Sequence, residues 1–219
     1  MTEREYSMIK RIKTGGISYL APLPGSGGWY WGTDYTSGDL YEAEELFQDG
    51  HRIKHNRLVF VHFPDGRVLE PVQAREGQYF GVPAWDNGKL VILLADFPAG
   101  EIRLLGYDTS GGVLSTILTM PRGEVEDCYN LMLRREPLTL TRQSGNRFQA
   151  IWPDKAGFPI HPEESFCFRE GDRLYFSRWY EDPDYREETV VRRMPDGEIV
   201  DQFPGSLLEM PDGRQWLLE

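Results

Sequence analysis

The sequence has few cysteines and lacks a long apolar run. Its two cysteines, Cys128 and Cys167, are too few for a disulfide framework, so we expect both to be buried as small apolar residues. The longest strongly apolar run, Leu90–Ala95, is far shorter than the ~20 residues that cross a bilayer. The first residues, MTEREYSMIKRIK, contain no apolar segment of the kind that a secretory signal needs. We therefore expect a soluble cytoplasmic protein that does not associate with membranes.

Positive charge and catalytic motifs are scarce as well. The 24 Lys and Arg residues face 35 Asp and Glu residues, which gives a net charge of −11. Such a protein repels phosphate backbones, so a nucleic-acid partner is not expected. The motifs HExxH, CxxC and GxSxG and an Asp-rich calcium loop do not occur, so we expect no metal site and no cofactor. Whether the protein is an enzyme stays open at this stage, and a binding role is favoured.

Aromatic residues and turn signals are abundant. Aromatic side chains make up 13% of the chain, and their size suits the pleated, half-buried surfaces of sheets. Pro-Asp-Gly turns begin at Pro64, Pro195 and Pro211, each between short apolar or alternating runs. Such runs on both sides of a glycine-containing turn are typical of β-hairpins. The sequence therefore predicts an all-β fold.

Some of these hairpins repeat along the chain. Three segments match around a turn: WDNGKLV, REGDRLY and MPDGRQW. The residues that follow their turns, Leu90, Leu174 and Trp216, are separated by 84 and 42 residues. A period near 42 with several strands per unit is typical of a β-propeller, whose blades bury both apolar faces by stacking in a ring.

The repeat resembles β-propeller architecture, without the blade motif of a named family. We predict one domain, residues 1–219, with about five four-stranded antiparallel blades. Four blades would span residues 24–76, 77–122, 123–163 and 164–204. The N-terminal runs Met8–Ile12 and Ile17–Ala21 would complete the last blade, residues 205–219, as strands. An antiparallel β-sandwich or barrel would use the same local signals and is the alternative.

One segment gives conflicting signals. Asp39–Gly50 begins with a helix N-cap residue, has Glu42 three positions later and ends in glycine, all of which favour a helix. The blade repeat instead places a strand at this position. We predict a strand, because the repeat orders most of the chain.

A second repeat joins two aromatic stretches. Trp29–Tyr35 has the sequence WYWGTDY, and Trp179–Tyr185 has the sequence WYEDPDY, 150 residues later. Each lies between a strand and a turn-like segment, so we interpret them as equivalent positions in two blades. The leading Trp would pack between sheets, and the Asp side chain would hold a turn.

The same stretches form the candidate site, because aromatic faces beside carboxylates suit a polyhydroxyl or basic ligand. The candidate ligand-binding residues are Trp29, Trp31, Asp34, Tyr35, Trp179, Tyr180, Asp184, Tyr185 and Arg186. The function expected is a binding module that presents these loops to an unidentified small molecule, glycan or protein.

Two other functions are open. A carbohydrate-active enzyme resembling a glycoside hydrolase would need two carboxylates about 5–9.5 Å apart. Its catalytic candidates would be Asp34, Glu181, Asp182 and Asp184. A purely structural or assembly role would instead predict that no concave polar pocket forms.

Overall fold

The computed structural model describes residues 9–51 and 53–218 and has the architecture that the repeat predicts. Strands make up 48% of the chain and helices 7%. Four small antiparallel sheets are arranged around a common axis, which is a β-propeller arrangement. The all-β prediction and the propeller prediction are therefore confirmed.

The first two sheets follow one another along the chain. The first contains β1 (Ala21–Pro22), β2 (Trp29–Thr33), β3 (Leu58–His62) and β4 (Val68–Leu69), in that order. The second contains β5 (Gln78–Phe80), β6 (Ala84–Asp86), β7 (Lys89–Asp96), β8 (Glu101–Asp108) and β9 (Val113–Pro121). Because β5 and β6 both pair with β7, they act together as one interrupted edge strand.

The other two sheets and a hairpin complete the fold. The third sheet contains β10 (Met132–Arg134), β11 (Thr139–Ser144), β12 (Arg147–Trp152) and β13 (Ala156–Pro159). The fourth contains β14 (Glu164–Glu170), β15 (Arg173–Tyr180), β16 (Arg186–Arg193) and β17 (Ile199–Pro204). The last two strands, β18 (Ser206–Glu209) and β19 (Gln215–Leu218), pair with each other as a two-stranded sheet. The predicted units 77–122, 123–163 and 164–204 each enclose one sheet.

The number of blades and the closure of the last blade differ from the prediction. The ring has four blades, and the C-terminal hairpin stands where a fifth was expected. Ala21–Pro22 pairs with Tyr30 and Trp31, so it forms the inner strand of the first blade and does not complete the last one. The predicted unit 24–76 omitted this strand, although the first sheet needs it.

The N-terminal segment lies along the first sheet. Lys10 Nζ donates a hydrogen bond to the Pro64 carbonyl, 3.1 Å away, at the turn between β3 and β4. Arg57 Nη1 donates to the Gly15 carbonyl at 2.8 Å. These bonds hold residues 10–15 against the first blade, where they cannot pair with β18 or β19. Met8, the first residue of the predicted run Met8–Ile12, lies outside the described residues.

The strand prediction for Asp39–Gly50 is wrong, because α1 spans Leu40–Gln48. The Asp39 side chain accepts hydrogen bonds from the backbone N–H groups of Tyr41 and Glu42, at 2.8 and 3.2 Å. Gly50 leaves the helix at a φ of 78°, a conformation that glycine adopts without strain. The local capping signals therefore decided the structure. The repeat could not, since this segment is an insertion between β2 and β3.

Apolar clusters fill the gaps between successive sheets. The cluster between the third and fourth sheets contains Phe148, Phe158, Phe166 and Phe176, whose ring centroids lie 4.7 to 5.4 Å apart in the contacting pairs. Such aromatic pairs each add about 0.5–1.5 kcal/mol beyond the apolar area that they bury. The fourth and first blades are linked through the hairpin, where the Gly25 N–H donates to the Pro211 carbonyl at 3.1 Å.

Candidate functional site

The leading tryptophan of the first aromatic stretch is part of the core. Trp29 is 3% exposed and begins β2. Its ring centroid lies 4.8 Å from that of His62, and the Arg67 guanidinium lies over it at 5.1 Å. The prediction that this Trp packs between sheets is confirmed.

The aspartate of the same stretch holds the chain beyond β2. Asp34 Oδ1 accepts hydrogen bonds from the Arg57 backbone N–H at 2.8 Å and from Asn56 Nδ2 at 3.1 Å. These bonds tie the start of the long β2–β3 connection to its end. Tyr35 beside it is exposed, whereas Trp31 is half-buried and faces the centre of the ring.

The second aromatic stretch is more exposed. Trp179 is 39% exposed, which differs from the packed position predicted for it. The Tyr180 hydroxyl donates to Glu188 at 3.1 Å, and its ring lies under the guanidinium of Arg186 at 4.2 Å. The Tyr185 hydroxyl donates to Glu187. The remaining nominated acids are exposed in the loop between β15 and β16: Glu181, Asp182 and Asp184.

The two stretches are not equivalent in position. Both stretches begin on the second strand of a sheet. These two strands run in the same direction along the axis, because in each sheet the strands follow one another in chain order. Trp29 is the first residue of β2, whereas Trp179 is the second-last residue of β15. The two tryptophans therefore lie at opposite ends of the axis. The loop 181–185 shares one end with α1, which we name the helix end.

A cavity opens at the other end, which we name the cavity end. Its volume is about 650 Å³, and the residues that line it come from all four sheets and the C-terminal hairpin. The innermost strand of each sheet, or the turn that follows it, contributes, as in Pro22, Ala84, Arg134 and Phe168. We call this space the axial cavity. Its size lies within the roughly 300–1,000 Å³ of small-molecule pockets.

Aromatic side chains form much of the wall of the axial cavity. They are Trp31, Trp85, Phe168, Tyr175 and Trp216. The rings of Phe168 and Tyr175 stack at 4.3 Å with an interplanar angle of 8°. Of the residues nominated from the sequence, Trp31 alone lines this cavity.

An arginine bridges the mouth of the axial cavity. Arg135 leaves β10 and its Nε donates to Glu209 on β18, 3.0 Å away, while its Nη1 donates to Glu136 at 2.6 Å. The Arg135 guanidinium lies so close to Gly213 that a Cβ atom added at this residue would collide with it. Gly213 is therefore needed both for its φ of 89° and for this close approach. The bridge links the third blade to the hairpin that stands beside the first.

The two cysteines lie in different surroundings. Cys128 is buried, as predicted, and burial raises the pKa of its thiol to about 11. Cys167 is only partly buried and lines the axial cavity, which differs from the prediction. Burial raises the pKa of this thiol as well, so it stays protonated at neutral pH.

Sequence reasoning missed most of the cavity wall. Trp85 and Trp216 stand in two of the three matching hairpins, so the repeat had already marked them. Trp85 lies on β6, the strand before its turn, and Trp216 lies on β19, the strand after its turn, so the turn motif alone does not predict that both face the axis. Arg134 had no such signal, because nothing in its sequence neighbourhood distinguishes a cavity arginine from a surface one.

The described part of the chain has neither a metal-binding cluster nor a membrane-spanning helix. Within residues 9–51 and 53–218, no group of three or more His, Cys, Asp and Glu side chains is arranged to hold a metal ion. None of the helices in this part of the chain is long and apolar enough to cross a membrane. Comparison of the sequence with protein-family models and with curated proteins finds no match.

Proposed function

We propose that the protein is a binding module that holds a small organic molecule in the axial cavity. The observation that carries the proposal is the convergence of four inner strands and the C-terminal hairpin on one aromatic-lined cavity of about 650 Å³. A ring of sheets is a rigid scaffold, and concave, mainly apolar sites with a few polar groups are the usual form of small-molecule pockets. A purely structural protein would not need such a cavity.

The proposal moves the site away from the acidic loops. Trp29 is in the core, and Asp34 is occupied in holding its own connection. The loop 181–185 lies at the helix end, so it does not share a location with the cavity. A glycan or protein partner for that loop remains a separate prediction.

The carboxylates favour binding over hydrolysis. Glu136 and Glu209 are paired with Arg135, and Glu170 accepts a hydrogen bond from the Tyr175 hydroxyl at 3.1 Å. Each acid that lines the axial cavity therefore has a polar partner, and no further observation marks two of them as the carboxylate pair that a glycosidase uses. The enzyme alternative gains no specific support from this arrangement.

Two exposed tryptophans offer a matched test. Trp216 lines the axial cavity and is 48% exposed, while Trp179 lies at the helix end and is 39% exposed. A fragment library would be screened by ligand-observed NMR, and the dissociation constants of its hits measured for wild type, Trp216→Ala and Trp179→Ala. We expect Trp216→Ala to weaken binding about tenfold, the effect of losing about 1.4 kcal/mol, and Trp179→Ala to leave it unchanged.

The opposite pattern would contradict the proposal. If the hits bind the Trp216→Ala variant as tightly as wild type but no longer bind the Trp179→Ala variant, the site would lie on the loops at the helix end. A glycan array and a pull-down with the double variant Trp179→Ala, Tyr180→Ala test that alternative in parallel. A library without hits would contradict binding in the cavity altogether.

A further inference from the structure

Four arginines line the axial cavity, and three of them have a carboxylate partner. Arg135 is paired with Glu136 and Glu209, Arg169 with Asp154 at 2.6 Å, and Arg214 with Asp212 at 2.6 Å. Arg134 is the exception among these four, because no carboxylate of the described residues lies within 4.0 Å of its guanidinium. This sets Arg134 apart from the other three arginines of the cavity wall.

The donors of Arg134 are only partly used. Nη2 donates to the Phe166 carbonyl at 3.1 Å, which fixes the guanidinium between the third and fourth blades, and it also lies 3.8 Å from Met132 Sδ. Nε is shielded from solvent and has no hydrogen-bond partner within the described residues. A buried donor on a charged group destabilises the fold when no acceptor binds it. The hydrogen bond to the Phe166 carbonyl thus uses only part of the donor capacity of the Arg134 guanidinium.

Among the described residues, no carboxylate lies close enough to Arg134 to form an ion pair with it. Glu209 acts on Arg134 through space, but it already accepts a hydrogen bond from Arg135. The Cys167 thiol is protonated, because burial raises its pKa. Burial also lowers the pKa of Arg134, yet a guanidinium keeps its proton in proteins. Within the described residues, the cavity wall therefore carries a cation that has no carboxylate in direct contact.

We propose that the axial cavity takes an organic anion, whose carboxylate, phosphate or sulfonate binds Arg134 and whose apolar body packs against Trp31, Trp85 and Trp216. The proposal rests on the proposed function and names the ligand class of the same site. The planar fork of an arginine suits such groups, because it donates two parallel hydrogen bonds to their oxygens. The aromatic wall explains why the ligand is an organic anion and not an inorganic one.

The test uses a set of probes that differ only in charge and head group. These are naphthalene-2-carboxylate, 2-naphthyl phosphate, naphthalene-2-sulfonate and the neutral naphthalene-2-carboxamide. Isothermal titration calorimetry would give the ratio of dissociation constants, carboxamide over each anion, for each variant. For wild type we expect a ratio of ten or more for at least one anion, and the strongest of the three identifies the head group.

Substitutions then assign the preference to one residue. Arg134→Met should reduce the ratio to about one, and Arg134→Lys should keep part of it. Arg169→Met is the matched control, because Arg169 lines the same cavity but is already paired with Asp154; its ratio should equal that of wild type. Each ratio is measured within one variant, so a small loss of stability does not affect it.

Four outcomes would overturn the anion proposal. If the carboxamide binds as tightly as the anions, the anion proposal fails and the binding module stands. The same holds if Arg134→Met keeps the wild-type ratio or if Arg169→Met loses it equally. If none of the four probes binds, the anion proposal fails, and the fragment screen alone decides whether the cavity binds small molecules.

Discussion

The two WYxxxDY stretches share four letters and the same strand number within a sheet, but their structural roles differ. In the first, the Trp is buried at the start of β2 and the Asp closes a connection. In the second, the Trp is exposed near the end of β15 and the Asp lies in an exposed loop. The position of these residues along the strand, not the shared motif, therefore decides what they do.

The physical reason lies in strand length. The strand β15 has eight residues and β2 has five. The core of the fourth blade covers Leu174 and Phe176, near the start of β15, so the later residues extend past it. Trp179 therefore stands beyond the apolar cluster, while Trp29 stands within one.

The two tryptophans should differ most of all, in how much each contributes to the free energy of unfolding. Trp29→Ala should lower the free energy of unfolding by about 3–5 kcal/mol, because it empties a buried aromatic site. Trp179→Ala should lower it by less than about 1 kcal/mol, because an exposed side chain loses little packing. Urea unfolding followed by circular dichroism measures both, with equal m-values as the check that both variants unfold alike. Equal losses would mean that register does not separate the two stretches.

The aspartates of the two stretches should differ less. Asp34→Ala removes two hydrogen bonds and should cost about 1 kcal/mol of unfolding free energy, since one acceptor serves both Arg57 N–H and Asn56. Asp184→Ala, its counterpart, should change the value by no more than about 0.5 kcal/mol. The same urea experiment applies. A larger loss for Asp184→Ala would show that its loop has a structural role.

The two tyrosines should differ least, and the difference should appear in the pKa of the Glu187 carboxyl group. Hydrogen bonds from Ser206 and then from Tyr185 lower the pKa of Glu187. A lowered folded-state pKa stabilises the protein above the unfolded pKa, and this gain is lost as the pH falls through the folded value. Tyr185→Phe should therefore raise the pKa of Glu187 towards 4.5 and reduce the stability lost on acidification. Carbon-13 NMR of the side-chain carboxyl measures it.

Tyr35→Phe is the control for that titration. Tyr35 is the last residue of the first stretch and lies in the connection between β2 and β3 of the first sheet, whereas Glu187 lies on β16 of the fourth. The pKa of Glu187 should not change in this variant. An unchanged pKa in Tyr185→Phe would show that Ser206 alone stabilises the carboxylate.

Much of the fold could be predicted because hairpin spacing reflects the blades. Three predicted unit boundaries each enclose one observed sheet, since a turn and its flanking strands are local features of the sequence. Ring closure could not be predicted in the same way. It depends on which sheet the N-terminal segment contacts, and the contacts of Lys10 and Arg57 join residues far apart in the chain.

The candidate site was harder to predict than the fold. Trp31 was nominated and lines the axial cavity, but it was chosen for its motif and not for its place near the axis. Arg134 differs from the other cavity arginines in having no carboxylate partner among the described residues, and such an absence appears only when the blades are assembled. A sequence can show that arginines exist, but it cannot show which of them is unpaired.

The six tryptophans make the most direct measurement possible, because each gives one indole N–H signal in a proton–nitrogen correlation spectrum. The spectrum would be recorded while naphthalene-2-carboxylate is added to the full chain. The axial cavity predicts that the signals of Trp31, Trp85 and Trp216 shift together and that the signal of Trp179 does not. A shift of Trp179 with Trp31 and Trp85 unchanged would contradict the account, because the ligand would then lie at the helix end.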